Sequence, residues 1–205
     1  MGLFTGDIND KKVLKYRLTI SSYFIMLYES FSRTWKDRFL EFYANSVDVS
    51  GDKPKYRFTK PKSTKNGFEM IPDKKAENDF YNKVFRIIKK SKGYDKELSM
   101  FKYMEKLGFI NAKQYIELIE IRKIRNVLTH ELDSCILDNF PNETKNLLKK
   151  LIEIRKSANK NWILSVEIAT GDLERYKDDN GTYNFPKEAF SLDDILFDLI
   201  KENIF

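Results

Sequence analysis

Apolar residues in the first part of the chain recur every three or four positions, which is the spacing of an α-helix. Between Asp10 and about Asn45 neither glycine nor proline interrupts this pattern, and Asp10 is a candidate N-cap. The apolar stripe is wide, so we expect it to be buried on more than one side. The pattern predicts one long helix over this range.

Four more segments have helical spacing and recognisable end signals. They are 74–92 ending before Gly93, 95–107 ending at Gly108, Asn111 to about Cys135, and Asn142 to about Lys160. Glycine favours the left-handed backbone that closes a helix, and asparagine is a good N-cap. Because the connections are short, neighbouring helices should be antiparallel. The fold class predicted is all-α, a helical bundle of four to five helices.

The segment 46–75 breaks the helical pattern. It contains two glycines, three prolines and many lysines, which are typical of an exposed loop. The run Tyr56-Arg57-Phe58-Thr59 is the one stretch that suggests a short strand. We expect a basic loop inserted into the bundle, and its length suggests that it is functional.

The last segment, 161–205, differs in character from the bundle. Trp162–Ile168 fits a strand or a continued helix, the run 179–182 is a turn signal, and Ser191 is a candidate cap for a final short helix. We therefore expect a helical bundle over 1–160 and a small acidic C-terminal appendage over 161–205, which could include a short strand or hairpin.

The amino-acid composition excludes several kinds of functional site. The chain has 205 residues with 41% hydrophobic and 14% aromatic residues, enough for an ordered core. The single cysteine, Cys135, excludes an internal disulfide, and the single histidine, His130, excludes a site that needs two histidines from one chain. We expect no metal and no cofactor. Without a long apolar run or a signal-peptide pattern, we also expect a cytoplasmic protein that does not enter a membrane.

The net charge of +6 is unevenly distributed. Residues 52–110 hold 16 Lys and Arg against 8 Asp and Glu, whereas residues 161–205 hold 4 against 10. A basic region attracts polyanions, of which nucleic acid is the commonest, although a solubilising surface explains the lysines about as well. We expect Lys60, Lys62 and Lys65 to contact the phosphates of a nucleic acid. The acidic end could fold against the basic region of the same chain or of a second subunit.

The stretch Ile121–Leu132 carries the most informative side chains. At about 100° per residue, Arg122, Asn126 and His130 fall on one edge of the predicted helix, with Arg125 at its border and Thr129 between them. That edge therefore presents two guanidinium groups, an amide, a hydroxyl and an imidazole.

The motif Arg125-Asn126-x-x-x-His130 resembles the signature of the HEPN superfamily. The resemblance implies a helical bundle that acts as a homodimer, with two motifs meeting across the interface. It also implies a metal-independent endoribonuclease of a bacterial toxin–antitoxin or other defence system, with an antitoxin or defence protein as a possible partner. Arg125, Asn126 and His130 would be catalytic, and Arg122 and Thr129 would bind substrate. The nucleic acid contacted by Lys60, Lys62 and Lys65 would then be RNA.

Two other interpretations stay open. A HEPN-like bundle can serve as a dimerisation or RNA-binding module without cleavage, with Arg125 and His130 buried or held in ion pairs. A helical partner-binding protein unrelated to this superfamily would instead have an exposed apolar groove. Cys135 is better explained as a small core residue than as a nucleophile.

Overall fold

The computed structural model describes residues 11–52, 55–65, 67–137 and 140–167, together with Asp178, Asn180, Phe197 and Ile200. Within these residues there are six α-helices, four short strands and a closing π-helical turn. They are α1 (Lys11–Tyr43), β1 (Ser46–Asp48), β2 (Lys55–Arg57), β3 (Thr59–Thr64), β4 (Gly67–Pro72), α2 (Lys74–Val84), α3 (Lys96–Lys106), α4 (Ala112–His130), α5 (Leu132–Leu137), α6 (Thr144–Trp162) and the π-helical turn Ile163–Glu167. The protein is mostly helical, as predicted, but it is not purely α-helical, because it contains two small antiparallel sheets.

The chain forms two compact units. The first holds the described residues of Met1–Tyr28 and Gly108–Phe205, and the second is Glu29–Leu107. The predicted boundary at residue 160 stays a prediction, because most of the acidic appendage lies outside the described residues.

Helix α1 matches the predicted long helix closely and contributes to both units. Its buried face carries Ile20, Phe24 and Tyr28 in the first unit and Trp35 and Phe39 in the second. These residues are spaced by four or seven positions, so they form one stripe along the helix. The wide stripe read from the sequence is therefore a continuous line of core residues.

In the first unit, three helices pack in alternating directions. Arg17 of α1 donates from Nη1 to the carbonyl oxygens of Ile136 and Leu137, at 2.8 and 3.0 Å, whereas Tyr28 lies against Arg125 of α4. Helix α1 thus runs antiparallel to α4 and α5.

Helix α6 runs antiparallel to α4. Lys150 Nζ lies 3.2 Å from Glu117 Oε1, and Asn161 Nδ2 donates to the carbonyl oxygen of Phe109 at 3.0 Å. As α6 proceeds toward its carboxyl end, it therefore contacts residues that lie progressively earlier in the segment 109–117. The expected antiparallel arrangement of neighbours holds within this unit.

Helix α4 begins where the sequence predicts and ends earlier. Asn111 Oδ1 accepts from the Gln114 amide while Gln114 Oε1 accepts from the Asn111 amide, which is a complete capping box. At the other end Glu131 leaves helical geometry, with φ −126° and ψ 29°, and α5 begins at Leu132. The predicted single helix to Cys135 is wrong, and His130 is the last residue of α4.

In the second unit, the predicted loop over 46–75 is wrong. Strand β1 pairs with β2, and β3 pairs with β4 with Thr59 opposite Pro72 and Thr64 opposite Gly67. Among the residues that the structure describes, each sheet has two strands, so each strand pairs along one edge and a proline such as Pro61 is tolerated on the other. The suggested strand at 56–59 is found in part, as the end of β2 and the start of β3.

Helix α2 starts with the Asp73 side chain accepting from the amides of Lys75 and Ala76. It ends at Val84 rather than near residue 92, because Ser99 Oγ accepts from the backbone amides of Ile87 and Ile88, at 3.2 and 2.9 Å. Gly93, predicted to close that helix, instead has φ +84° in a turn between the paired residues Lys89 and Tyr94.

Helix α6 begins at Thr144, with Glu143 rather than Asn142 at the N-cap position. Within the predicted segment Trp162–Ile168, the described residues 162–167 follow the helical alternative, since α6 runs to Trp162 and passes into the π-helical turn; residue 168 lies outside the described residues. The turn at 179–182, apart from Asn180, and the helix capped by Ser191, apart from Phe197 and Ile200, lie outside the described residues. Phe197 and Ile200 are buried. None of the described helices combines the length and apolar character needed to cross a bilayer.

Asp95 both caps α3 and forms an ion pair, so its replacement tests this packing. It is 3% exposed, accepts from the Leu98 amide and lies 2.9 Å from Lys90 Nζ. We expect Asp95→Ala to lower the free energy of unfolding by about 1–2 kcal/mol through loss of the cap. Lys90→Ala, which removes only a partly exposed ion pair, should cost less than about 1 kcal/mol. Urea denaturation measures both, and equal losses would contradict this account.

Candidate functional site

The candidate residues of α4 share the last three turns of one helix. Arg122, Arg125 and Asn126 are half-buried, and Thr129 and His130 are exposed. The helical spacing read from the sequence therefore brings these five side chains to one end of α4. The helix is anchored in the core by Leu118, Ile121 and Leu128, each fully buried.

Arg125 is held in place from two directions. Its guanidinium carbon lies 4.9 Å from the centre of the Tyr28 ring of α1. Its Nη1 donates to Asn126 Oδ1 at 2.8 Å. A guanidinium over an aromatic face is attracted by the ring quadrupole, most strongly where water is partly excluded. Arg125 is thus a positioned cation rather than a freely moving surface side chain.

Asn126 acts on Arg125 in this structure. The motif makes Asn126 a candidate catalytic residue, and its side-chain oxygen accepts a hydrogen bond from the Arg125 guanidinium. That contact fixes the amide orientation, since the oxygen must face Arg125. The amide nitrogen is the atom left to face a substrate.

Thr129 is tied to its own helix. Its Oγ1 donates to the carbonyl oxygen of Arg125 at 2.8 Å, the usual bond of a threonine one turn further along a helix. The hydroxyl proton is therefore used within α4. As a substrate ligand, Thr129 can offer only its oxygen as an acceptor while this bond persists.

His130 stands at the carboxyl end of α4 with an exposed side chain. The helix stops directly after it, because Glu131 leaves helical geometry while its amide still donates to the Val127 carbonyl at 2.8 Å. The imidazole thus lies at a helix end that is open to solvent. An acid–base residue needs this kind of access to its substrate.

The three lysines predicted to bind RNA belong to the other compact unit. Lys60 and Lys62 lie on β3, two positions apart and so on the same face of the β3–β4 hairpin, and Lys65 follows the strand. All three are exposed. Lys60 Nζ lies 4.0 Å from Asp73 Oδ1. Their predicted contact with RNA stays a prediction.

Sequence reasoning missed Tyr28. Its side chain is fully buried in α1, where local sequence marks it only as one more residue of the apolar stripe. Its contact with Arg125 depends on the antiparallel pairing of α1 with α4, which no local pattern reveals.

Cys135 is buried, as the sequence suggested, and desolvation is the main cause that raises the pKa of its thiol. A raised pKa keeps the thiol protonated and less nucleophilic. Within the described part of the chain, no group of three or more His, Cys, Asp or Glu side chains is arranged to hold a metal ion.

Comparison with known proteins adds no assignment: no family model, no curated protein and no solved structure matches this chain. The resemblance to the HEPN superfamily therefore depends on the motif and on its position in α4.

The contacts of α4 predict that replacement of Arg125 destabilises the protein more than replacement of His130. Arg125→Ala should lower the free energy of unfolding by about 1–2 kcal/mol, because it removes the contact with Tyr28 and the bond to Asn126. His130→Ala should change it by less than about 0.5 kcal/mol, since the side chain is exposed.

Lys123→Ala, an exposed position on the same helix, is the matched control for this comparison. Urea denaturation of the three variants gives the ranking. If Arg125→Ala is as mild as Lys123→Ala, Arg125 is not anchored in solution.

Proposed function

We propose that this protein is a metal-independent endoribonuclease of a bacterial defence or toxin–antitoxin system. The observation that carries the proposal is the exposed imidazole of His130 at the end of α4, with the anchored guanidinium of Arg125 little more than one turn before it. The motif formed by these residues resembles that of HEPN ribonucleases, and its place on a helix of a mostly helical protein supports the resemblance.

Cleavage of RNA without a metal has three requirements. A base must remove the proton from the 2′-hydroxyl, cations must stabilise the five-coordinate phosphate, and an acid must protonate the leaving 5′-oxygen. An imidazole can serve as the base or as the acid near neutral pH. The 2′-oxygen forms a bond to phosphorus while the bond to the 5′-oxygen breaks, so the product carries a 2′,3′-cyclic phosphate.

Arg125 supplies the charge in this proposal. A guanidinium stays protonated and offers paired donors that match two phosphoryl oxygens. One of its donors is used by Asn126 and its face is used by Tyr28. Holding the cation in advance reduces the reorganisation needed when charge develops on the phosphate. Arg122 is a second cation on the same helix edge.

A single chain provides one imidazole, whereas the reaction has two proton transfers. A homodimer with a two-fold axis would bring two copies of His130 and Arg125 into one cleft. One imidazole would then act as base and the other as acid. The exposed edge of α4 would form part of that interface.

A non-catalytic HEPN-like module for RNA binding or dimerisation is the second candidate. The observation in its favour is the half-buried Arg125, whose contacts with Tyr28 and Asn126 also serve to join α4 to α1. This candidate predicts that RNA binds, or that subunits associate, without cleavage.

Removal of the imidazole distinguishes the ribonuclease from the non-catalytic module. His130→Ala should lower RNA cleavage about 10²–10⁴-fold, the usual contribution of acid–base catalysis. Arg125→Lys should retain part of the activity, since it keeps the charge without the paired donors. A labelled RNA substrate with a chelator present measures the rates, and Lys123→Ala is the control that should cleave normally. Unchanged cleavage by His130→Ala would reject the proposed role.

Mixed dimers test the composite site. Refolded mixtures of wild-type and His130→Ala chains should lose activity with the square of the wild-type fraction, because both imidazoles of a dimer are needed. A mixture with one wild-type chain in ten should then keep about one-hundredth of the activity, not about one-tenth. A linear dependence would show that one chain carries a complete site.

A further inference from the structure

The second unit contains a pair of adjoining cavities. The larger measures about 460 Å³ and the smaller about 240 Å³. Tyr81, Phe85 and Lys96 line both, so the two cavities form a continuous recess between α1, α2 and α3. Their combined size is that of a typical small-ligand site.

The floor of this recess is aromatic and apolar. The Tyr81 and Phe85 rings lie 5.8 Å apart at an interplanar angle of 44°, and Phe85 is buried. Leu40 and buried Met100 add to the apolar lining of the smaller cavity. Tyr81 is only half-buried, so its ring borders the open space. A flat apolar group can stack on such a ring.

The rim of the recess is cationic. Lys36, Lys74, Arg86 and Lys96 line it, and all four are exposed. Two acidic side chains, Glu77 and Glu97, also line the recess. One of the acids, Glu97, already accepts a hydrogen bond from Ser32 Oγ at 2.9 Å. Four cations against two acids leave a net positive field over the opening, which attracts anions.

We propose that this recess binds a nucleoside phosphate, with the base against Tyr81 and the phosphates among Lys96, Arg86 and Lys74. The aromatic floor selects a planar ring and the cationic rim selects an attached anion, and a nucleotide combines both. A purely aliphatic ligand would leave the cations unused, and inorganic phosphate would leave the floor uncovered.

Arg86 is already directed toward this arrangement. Its guanidinium carbon lies 5.9 Å from the centre of the Tyr81 ring, and its Nη1 donates to Asn82 Oδ1 at 3.1 Å. The remaining donors of the guanidinium can reach a phosphate beside a base that stacks on Tyr81. Neither His130 nor Arg125 takes part, so the proposal is independent of the ribonuclease activity.

The ligand could be a free nucleotide or one nucleotide of a single-stranded RNA, because both present the same chemistry. Binding of two probes to the full chain distinguishes them: ADP, and 2′-O-methyl hexaadenylate, which lacks the free 2′-hydroxyl needed for cleavage. Calorimetric titration of each gives the dissociation constant. Saturable binding of ADP supports a free nucleotide, and binding of the hexamer alone supports an RNA strand.

Charge-reversal substitutions show where on the protein the probe binds. Lys96→Glu and Arg86→Glu should each weaken binding of the active probe by about tenfold or more, since each puts a like charge beside the phosphates. Lys106→Glu makes the same change in charge on an exposed residue at the end of α3, outside the recess, and should change binding by less than about threefold. Tyr81→Leu should weaken binding about tenfold by removing the stacking surface.

The charge-reversal variants alter exposed side chains, so they remain informative even if Tyr81→Leu fails to fold. Equal affinities of Lys96→Glu, Arg86→Glu and Lys106→Glu for the probe would place binding elsewhere and overturn the proposal. Absence of binding by either probe would also overturn it. In both cases the proposed cleavage at His130 would be unaffected.

Discussion

The contact between Arg125 and Tyr28 is the interaction on which the candidate site depends. The guanidinium lies 4.9 Å from the ring centre and is fixed by the neighbouring Asn126. Through this contact α4 is joined to α1, and the edge of α4 that carries the polar side chains is set relative to the core. A cation at this place costs desolvation, which the ring and the amide oxygen partly offset. The same residue therefore serves both packing and, in our proposal, chemistry.

The end of α4 determines what His130 can do. The helix is closed by Glu131, whose amide still donates to Val127 while its backbone turns away, and the following short helix continues as a separate element. Had α4 continued to Cys135, the imidazole would lie within a helical surface instead of at a helix end. The break leaves the imidazole exposed at the helix end, little more than one turn after the anchored Arg125. A proton donor or acceptor and a fixed cation are the groups that phosphodiester cleavage needs.

The sequence predicted long helices well and irregular segments poorly, for physical reasons. The stripe from Ile20 to Phe39 and the Asn111 cap depend on neighbouring positions, so α1 and the start of α4 could be read directly. The strand pairs within 46–72 were missed because the segment combines glycines, prolines such as Pro61 and lysines, features that also describe loops. The early end of α2 arises from Ser99 of the next helix, and the anchoring of Arg125 arises from Tyr28 of α1. Both are tertiary contacts without a local signal.

The most direct test of the central claim is cleavage of a DNA oligonucleotide that contains a single ribonucleotide, incubated with the full chain and a chelator. The account predicts cutting only on the 3′ side of that ribonucleotide, with a 2′,3′-cyclic phosphate on the upstream product, because the nucleophile is the neighbouring 2′-hydroxyl. Replacement of that 2′-hydroxyl by a methoxy group should abolish the product. Cleavage that persists after the replacement, or a product with a different end, would contradict the account.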